Sequence, residues 1–247
     1  MNQAAARHVR LHLWGVPPRR IGSAIARMGT SRLPLSREPH LVFSKLLGTA
    51  KPTTFTPRAT DPLHWALLTV WDDADAADAF DTGRLTRSWA LAADETLRIA
   101  MTPLTSTGRW SGSEPFGTPV PTKHDGPVAA ITRARIRPSR MREFWQASER
   151  VAGALRTADG LVLATGIGEA PVGLQGTFSL WESAADMSAF AYQRPEHTDV
   201  IARTPVAQWY AEELFARFAV HRVRGRFAST DYDITHSGQA PSVDASA

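Results

Sequence analysis

Leu67-Leu68-Thr69-Val70-Trp71-Asp72-Asp73-Ala74-Asp75-Ala76-Ala77-Asp78-Ala79-Phe80 is answered 110 residues later by Thr177-Phe178-Ser179-Leu180-Trp181-Glu182-Ser183-Ala184-Ala185-Asp186-Met187-Ser188-Ala189-Phe190. Each stretch is an alternating run that reads as a strand ending in Trp. Acidic or Ser residues then suit a helix cap, and a Phe falls nine positions after the Trp. The same element occurs twice, and a repeat of this length governs the reading of the whole chain.

Working outward, each copy has an upstream strand beginning Leu-Val and closing on glycine: Leu41 to Gly48 and Leu161 to Gly168. Downstream, Trp89 and Trp209 fall in the second helix of each copy, and the closing strands run into Gly108-Arg109-Trp110 and Gly225-Arg226-Phe227. First strands at 8–15 and 127–137 are each followed by a helix, near 18–29 and from Ser139 to about Thr157. Arg142, Phe144, Trp145, Ala147 and Val151 give the latter a usable apolar face.

The expected fold is α+β: two fused ferredoxin-like β-α-β-β-α-β repeats, residues 8–110 and 127–227. Ser111 to Gly126, rich in Gly, Pro, Ser and Thr, is the expected linker, and residues 228–247 read as a disordered tail. Such a unit covers one sheet face with helices and leaves the other bare. Two copies can bury their bare faces against each other as an intramolecular α+β barrel of the dimeric type, with the space between the sheets as the natural ligand site.

The chain has 247 residues and no cysteine, which excludes disulfides, thiolate haem ligation, cysteine metal sites and cysteine nucleophiles. The sequence pI is about 9.9, yet the formal net charge is only +4 and the arginines are interleaved with acids. No basic run resembles a phosphate-tracking stripe, and Arg222, Arg224 and Arg226 alternate on one strand, so nucleic acid is not an expected partner. No apolar run is long enough for a transmembrane segment and Met1 to Arg7 lacks signal-peptide features. The expected location is cytoplasmic.

The copies differ in one place. Trp71 to Gly108 spans 37 positions and Trp181 to Gly225 spans 44, so the second copy carries seven extra residues. They fall in Tyr192 to Pro205, bounded by Pro195 and Pro205. Pro195 suits the first turn of a short helix. That places His197 near a helix N-terminus, where the dipole favours a neutral, ligating imidazole. His197 shares a helical face with Val200 and Ile201; the plainer reading is a packed histidine beside a kink. His64 could reach a pocket or end a loop. His8, His12 and His221 lie in or beside strands, and His40, His124 and His236 in loops.

No HExxH pair, Walker loop or dinucleotide fingerprint is present, and Gly108-Arg109-Trp110-Ser111-Gly112 has its serine one place too late for a nucleophile elbow. A haem would need only one strong protein ligand, and without a nucleotide site any reducing equivalents would come from a separate protein.

Five segments carry a resemblance: Phe43-Ser44-Lys45-Leu46-Leu47-Gly48-Thr49; Gly108 to Phe116; Gly126-Pro127-Val128-Ala129-Ala130-Ile131-Thr132-Arg133-Ala134; Gly166-Ile167-Gly168-Glu169-Ala170-Pro171; and Trp209 to Phe218. In this order the chain resembles the spheroidene monooxygenase family of carotenoid 2-ketolases over nearly all of residues 8–227. It is more distantly similar to haem proteins of the dimeric α+β barrel type such as chlorite dismutases and aldoxime dehydratases. The resemblance implies a haem b enzyme using O₂ and an external electron donor, a reductase or ferredoxin, with a C-terminal-half histidine on the iron. His197 is the position that fits. The loop Thr49 to Pro57 lacks the family's run of glycines, so the fold transfers more readily than the carotenoid. The expected substrate is a mainly apolar small molecule.

Within that reading Arg109 and Lys45 are the polar candidates for catalysis, or snorkelling strand-end charges. Trp110, Phe43 and Trp209 could wall the haem beside Ile201, or belong to the core. Arg217 could meet a propionate or Glu213, and Glu212 or Glu213 could accept the second-nitrogen proton of His197, although helical carboxylates are normally solvated. Two other classes stay open: a haem dehydratase or isomerase acting on a nitrogen-containing substrate without net redox, and a cofactor-free binding protein. A homo-oligomer is compatible with all of them.

Overall fold

A computed structural model describes residues 6–50, 59–120, 122–140, 155, 157–169, 174–193 and 210–236. The first half runs β1 (His8–Gly15), a 3₁₀ turn (Pro18–Arg20), α1 (Ile21–Thr30), α2 (Arg32–Leu35), β2 (Leu41–Ala50), β3 (Thr60–Trp71), α3 (Ala74–Asp81), α4 (Arg84–Ala90) and β4 (Glu95–Gly108). The second half contains β5 (Val128–Ile136), β6 (Leu161–Gly168), β7 (Leu174–Trp181), α5 (Ala184–Gln193), β8 (Tyr210–Phe227) and β9 (Thr230–Thr235).

The two Trp-to-Phe stretches form the elements expected of them. Asp73 caps α3 by accepting from the Ala76 amide at 2.7 Å, and Ser183 accepts from the Asp186 amide at 3.2 Å at the start of α5. Phe80 and Phe190 return against Trp71 and Trp181, with ring centroids 4.9 and 5.3 Å apart.

Strand order is β4-β1-β3-β2-β6-β7-β5-β8-β9, and β4 also pairs with β8. Eight strands therefore close into a ring, each half contributing the order 4-1-3-2. The halves meet edge to edge as well as face to face. One seam is long, from Leu97↔Gly225 to Gly108↔Leu214; the other is short, Gly48↔Gly168, Thr49↔Ile167 and Ala50↔Gly166.

Alternation sorts the side chains. Val9, Leu11 and Leu13 of β1 join Leu68, Ile99, Ile131, Phe178, Leu214 and Phe218 in the barrel interior. On the outer side of the first sheet, Trp14, Leu67, Trp71 and Trp89 pack with Ala24 of α1 and with Phe80 of α3.

The repeat holds at the level of backbone geometry. Gly108 and Gly225 occupy related places in the β4–β8 ladder and have φ of 88° and 123°. A Cβ at Gly108 would overlap the Glu213 carbonyl oxygen, and one at Gly225 the Thr96 carbonyl oxygen. That double requirement is the physical reason for the glycine repeated in the two Gly-Arg-aromatic motifs.

Three expectations change. The sequence reads as a disordered tail over 228–247, but Thr230–Thr235 is a strand. Ala228 (φ 48°) and Ser229 (φ 67°) make a two-residue turn back along β8, and Tyr232 and Ile234 pack on the barrel core. Glu212 and Glu213, read as helical, belong to β8, because Leu214, Ala216, Phe218 and Val220 alternate inward with period two. The linker is more than a spacer: Phe116 is buried and meets Phe218 edge-on at 4.9 Å. Of the expected helix from Ser139 to Thr157, residues 141–154 and 156 lie outside the described residues, as does Trp209.

Candidate active site

Four charged side chains enter the barrel at one end, from both halves of the chain. Lys45 of β2 follows the inward row of Phe43 and Leu47, and Arg133 of β5 follows Ala129 and Ile131. Glu169 lies just past β6, and Glu212 precedes Leu214 on β8. Trp110, sent inward by the bend at Gly108, brings the turn Trp110 to Ser113 against them.

The contacts form one network. Lys45 Nζ donates to Glu169 Oε2 and to Ser111 Oγ, both at 2.7 Å. Trp110 Nε1 donates to Glu169 Oε1 at 2.6 Å, and Arg133 reaches the same oxygen at 3.1 Å. Arg133 also donates to Glu212, whose carboxylate accepts the amides of Ser111 and Gly112 at 2.9 Å each. The guanidinium lies 5.5 Å from the Trp110 ring centre, and the Lys45 ammonium 5.5 Å from that of Phe43. Arg133 is 2 % exposed, and its Nε is buried without a hydrogen-bond partner among the described residues.

Burial alone would raise the Glu169 carboxyl, but hydrogen bonds from Lys45 and Trp110 and the charges of Lys45 and Arg133 outweigh it and hold the group below its ordinary value. Glu212 is also held low. There too burial opposes, and the Gly112 and Ser111 amides with Arg133 prevail. Both carboxylates are thus anions facing two cations.

Lys45, Phe43 and Trp110, singled out in the sequence, come together here, with Phe43 and Trp110 in edge contact at 5.6 Å. Arg109 does not join them. Since Trp110 turns inward, its neighbour turns outward; the Arg109 side chain is 64 % exposed and lies 3.5 Å from Glu114. Arg217 lies on the row of β8 that faces away from the interior, opposite to Ala216 and Phe218. Glu212, considered as a partner for His197, has its carboxylate engaged by Arg133, Ser111 and Gly112. His197 and Ile201, with Trp209, fall outside the described residues; the segment bearing them ends at Tyr210, two residues from Glu212.

Arg133, Glu169 and Glu212 received no role on the buried network from the sequence. The available signal was an arginine at an inward position of an otherwise apolar row, and a Glu directly after Gly166-Ile167-Gly168.

The other histidines are engaged elsewhere. His12 lies 3.0 Å from Asp81 beneath α3, His40 pairs with Asp72 at 3.1 Å, and His64 sits between Asp61 (2.7 Å) and Glu95 (3.3 Å). His124 and His236 stack edge-on at 5.0 Å beside His221, and burial with the nearby His124 lowers the His221 imidazole. Burial and Arg10 lower His8 on the outer face of β1. Among the described residues no group of three or more His, Asp or Glu could hold a metal ion, and no helix is long and apolar enough to cross a membrane.

These features define a single-chain α+β barrel with a polar constellation inside one end. Solved structures share the fold. An aldoxime dehydratase crystallised with butyraldoxime matches with a TM-score of 0.63 at 10% identity, over 89% of this chain and 81% of that one. A second aldoxime dehydratase gives 0.56 at 10% identity, over 87% and 82%. No family model matches the chain. Curated relatives do. Spheroidene monooxygenase of Rhodobacter capsulatus is 35% identical over 213 residues, 84% of this chain and 87% of the relative. That of Rubrivivax gelatinosus is 35% identical over 203 residues, 81% and 76%. The chain belongs to the spheroidene monooxygenase family. Membership places it among oxygenases.

Proposed function

We propose that the protein is a haem b-dependent monooxygenase that oxidises a mainly apolar small molecule, by hydroxylation or ketonisation, using O₂ and electrons from a separate reductase or ferredoxin. His197 would hold its iron. The observation that carries this reading is the Lys45–Glu169–Arg133–Glu212 network at one end of the barrel, in a chain whose family is named for an oxygenation. None of the seven histidines among the described residues reaches this network.

The described residues fit such a group. An apolar disc with carboxylate edges calls for aromatic walls and cationic donors, and Phe43, Trp110, Lys45 and Arg133 supply both. The buried Arg133 Nε is a donor without a hydrogen-bond partner among the described residues. When bound, the haem supplies oxygen activation. Each hydroxylation consumes one O₂, two electrons and two protons, leaving one oxygen atom in the product and one in water.

The chain's own residues have separable tasks. Lys45 and Arg133 present charged hydrogen-bond donors at the barrel end. Glu169 and Glu212 fix both cations and keep the site neutral overall. Trp110 and Phe43 exclude water from the interior side. Arg109 takes no part, since it faces solvent.

The visible spectrum of the purified protein, with haem supplied during expression, is the direct test. A Soret band that survives purification and is lost in His197→Ala supports the assignment; a protein that stays colourless overturns it.

A further inference from the structure

We propose that Glu169 is the positioning residue of this site: its carboxylate pins the Lys45 ammonium and the Arg133 guanidinium together, so that Lys45 is presented as the proton donor at the barrel end. The placement stands on geometry alone; its consequence for turnover rests on the oxygenase reading above.

Each oxygen of Glu169 is committed. Oε2 takes Lys45 from β2, while Oε1 takes Trp110 from the turn after β4 and Arg133 from β5. Glu212 on β8 faces the group from beyond Arg133. Lys45 has three donors. Two are used on Glu169 and Ser111, and among the described residues the third has no acceptor.

The other half of the molecule provides a comparison. β2 and β6 have the same register shift, between Leu41 and Phe43 and between Leu161 and Leu163, and they meet at Gly48↔Gly168. The related positions are therefore Lys45 with Thr165, Glu169 with Thr49, Arg133 with Leu13 and Trp110 with Phe227. Thr49 Oγ1 donates to the His64 carbonyl at 2.8 Å, Thr165 Oγ1 to the Ala50 carbonyl at 3.3 Å, and Leu13 is simply buried. At the related end these positions hold two threonines and a leucine, and the charges there form a different cluster, His64 between Asp61 and Glu95. Buried ion pairs seldom stabilise relative to apolar residues of the same size. Among the described residues the Lys45–Glu169–Arg133 bridge occurs at one end only, which points to use.

Protons are what this chemistry needs at a dry site. An ammonium held by a carboxylate at 2.7 Å, and part-exposed, can donate one inward and regain it from solvent. Without the carboxylate, Lys45 and Arg133 are two cations facing each other, and the ammonium form is disfavoured.

The chain has three lysines, Lys45, Lys51 and Lys123, which makes the test selective. Acylation of the intact protein by acetic anhydride, read by peptide mass, reports the fraction of neutral amine at each. Glu169→Gln, nearly isosteric, raises the Lys45 rate about tenfold and leaves the exposed Lys123 unchanged; Glu169→Asp stays near wild type. In haem-loaded protein Glu169→Gln and Lys45→Met each lower product formed per electron about fivefold, with released peroxide rising and haem content unchanged.

An unchanged Lys45 rate in Glu169→Gln overturns the proposal, as does a changed rate with unaltered product yield. If no variant and no wild-type protein takes up haem, the oxygenase reading fails while the acylation result still decides the role of Glu169.

Discussion

Replacing Arg133 by Met should destabilise the protein chiefly through what it leaves behind. The guanidinium is 2 % exposed and bridges Glu169 and Glu212, so its loss strands two carboxylates inside the barrel end. Removing one member of a buried pair costs about 3 to 5 kcal/mol. The lower figure applies, because Glu169 keeps Lys45 and Trp110, and Glu212 keeps two backbone amides. About 3 kcal/mol corresponds to a fall in Tm of roughly 6 to 12 °C for a chain of this size. Both carboxyls are held low in the folded protein, so their contribution is present above about pH 4.5 and is lost as pH falls through the folded values. The deficit of Arg133→Met should therefore shrink in acid. Calorimetry and urea denaturation from about pH 7 to about pH 4 measure it. The triple variant Arg133→Met/Glu169→Gln/Glu212→Gln, with no stranded charge, should recover at least half. A deficit below about 1 kcal/mol, one that persists unchanged in acid, or strict additivity in the triple variant would refute the argument.

Other outcomes follow from single features. His64 is raised, first by its hydrogen bond to Asp61 and against burial, so its stabilising contribution is complete below about pH 6.5 and disappears as pH rises through the folded value; His64→Asn should flatten the pH dependence of urea unfolding between about pH 5.5 and 8.5, and an unchanged slope counts against it. Gly225→Ala forces a Cβ onto the Thr96 carbonyl at positive φ, and should cost about 2 kcal/mol or more in equilibrium unfolding; a smaller loss would mean that the β4–β8 ladder yields. Arg109→Ala, at a solvent-facing side chain, should stay within about 0.5 kcal/mol of wild type and retain turnover. A substantial loss of turnover would return Arg109 to the site.

The sequence made the fold legible because duplication doubles every weak signal. A Trp, a capped helix and a Phe at fixed spacing are unremarkable once and diagnostic twice. The strand β9 was hidden for the opposite reason: its turn uses Ala228 and Ser229 at positive φ, where Gly or Asn would have announced a hairpin. Glu212 reads as helical because Trp209 to Phe218 mixes apolar and acidic residues at spacings compatible with either period. Lys45 and Trp110 were visible as a charge and an aromatic beside apolar neighbours. Their partners were not, because Glu169 meets Lys45 from 124 positions away and brings in Arg133, 88 positions away, across the junction of two repeats. Only ring closure brings those strands together.

Glu95 and Glu212 hold related positions on β4 and β8, and each accepts amides from the turn that follows the other strand: Glu95 from Ser229, Glu212 from Ser111 and Gly112. Each repeat thus finishes its partner. In a pair of separate, identical subunits such reciprocity would bind both ends of the barrel to one sequence, because an isologous interface presents every residue twice. Joining the subunits in one chain lifted that obligation. One end could hold threonines and a leucine at the positions where the other carries a lysine, a glutamate and an arginine, residues that a symmetric pair could present only in duplicate.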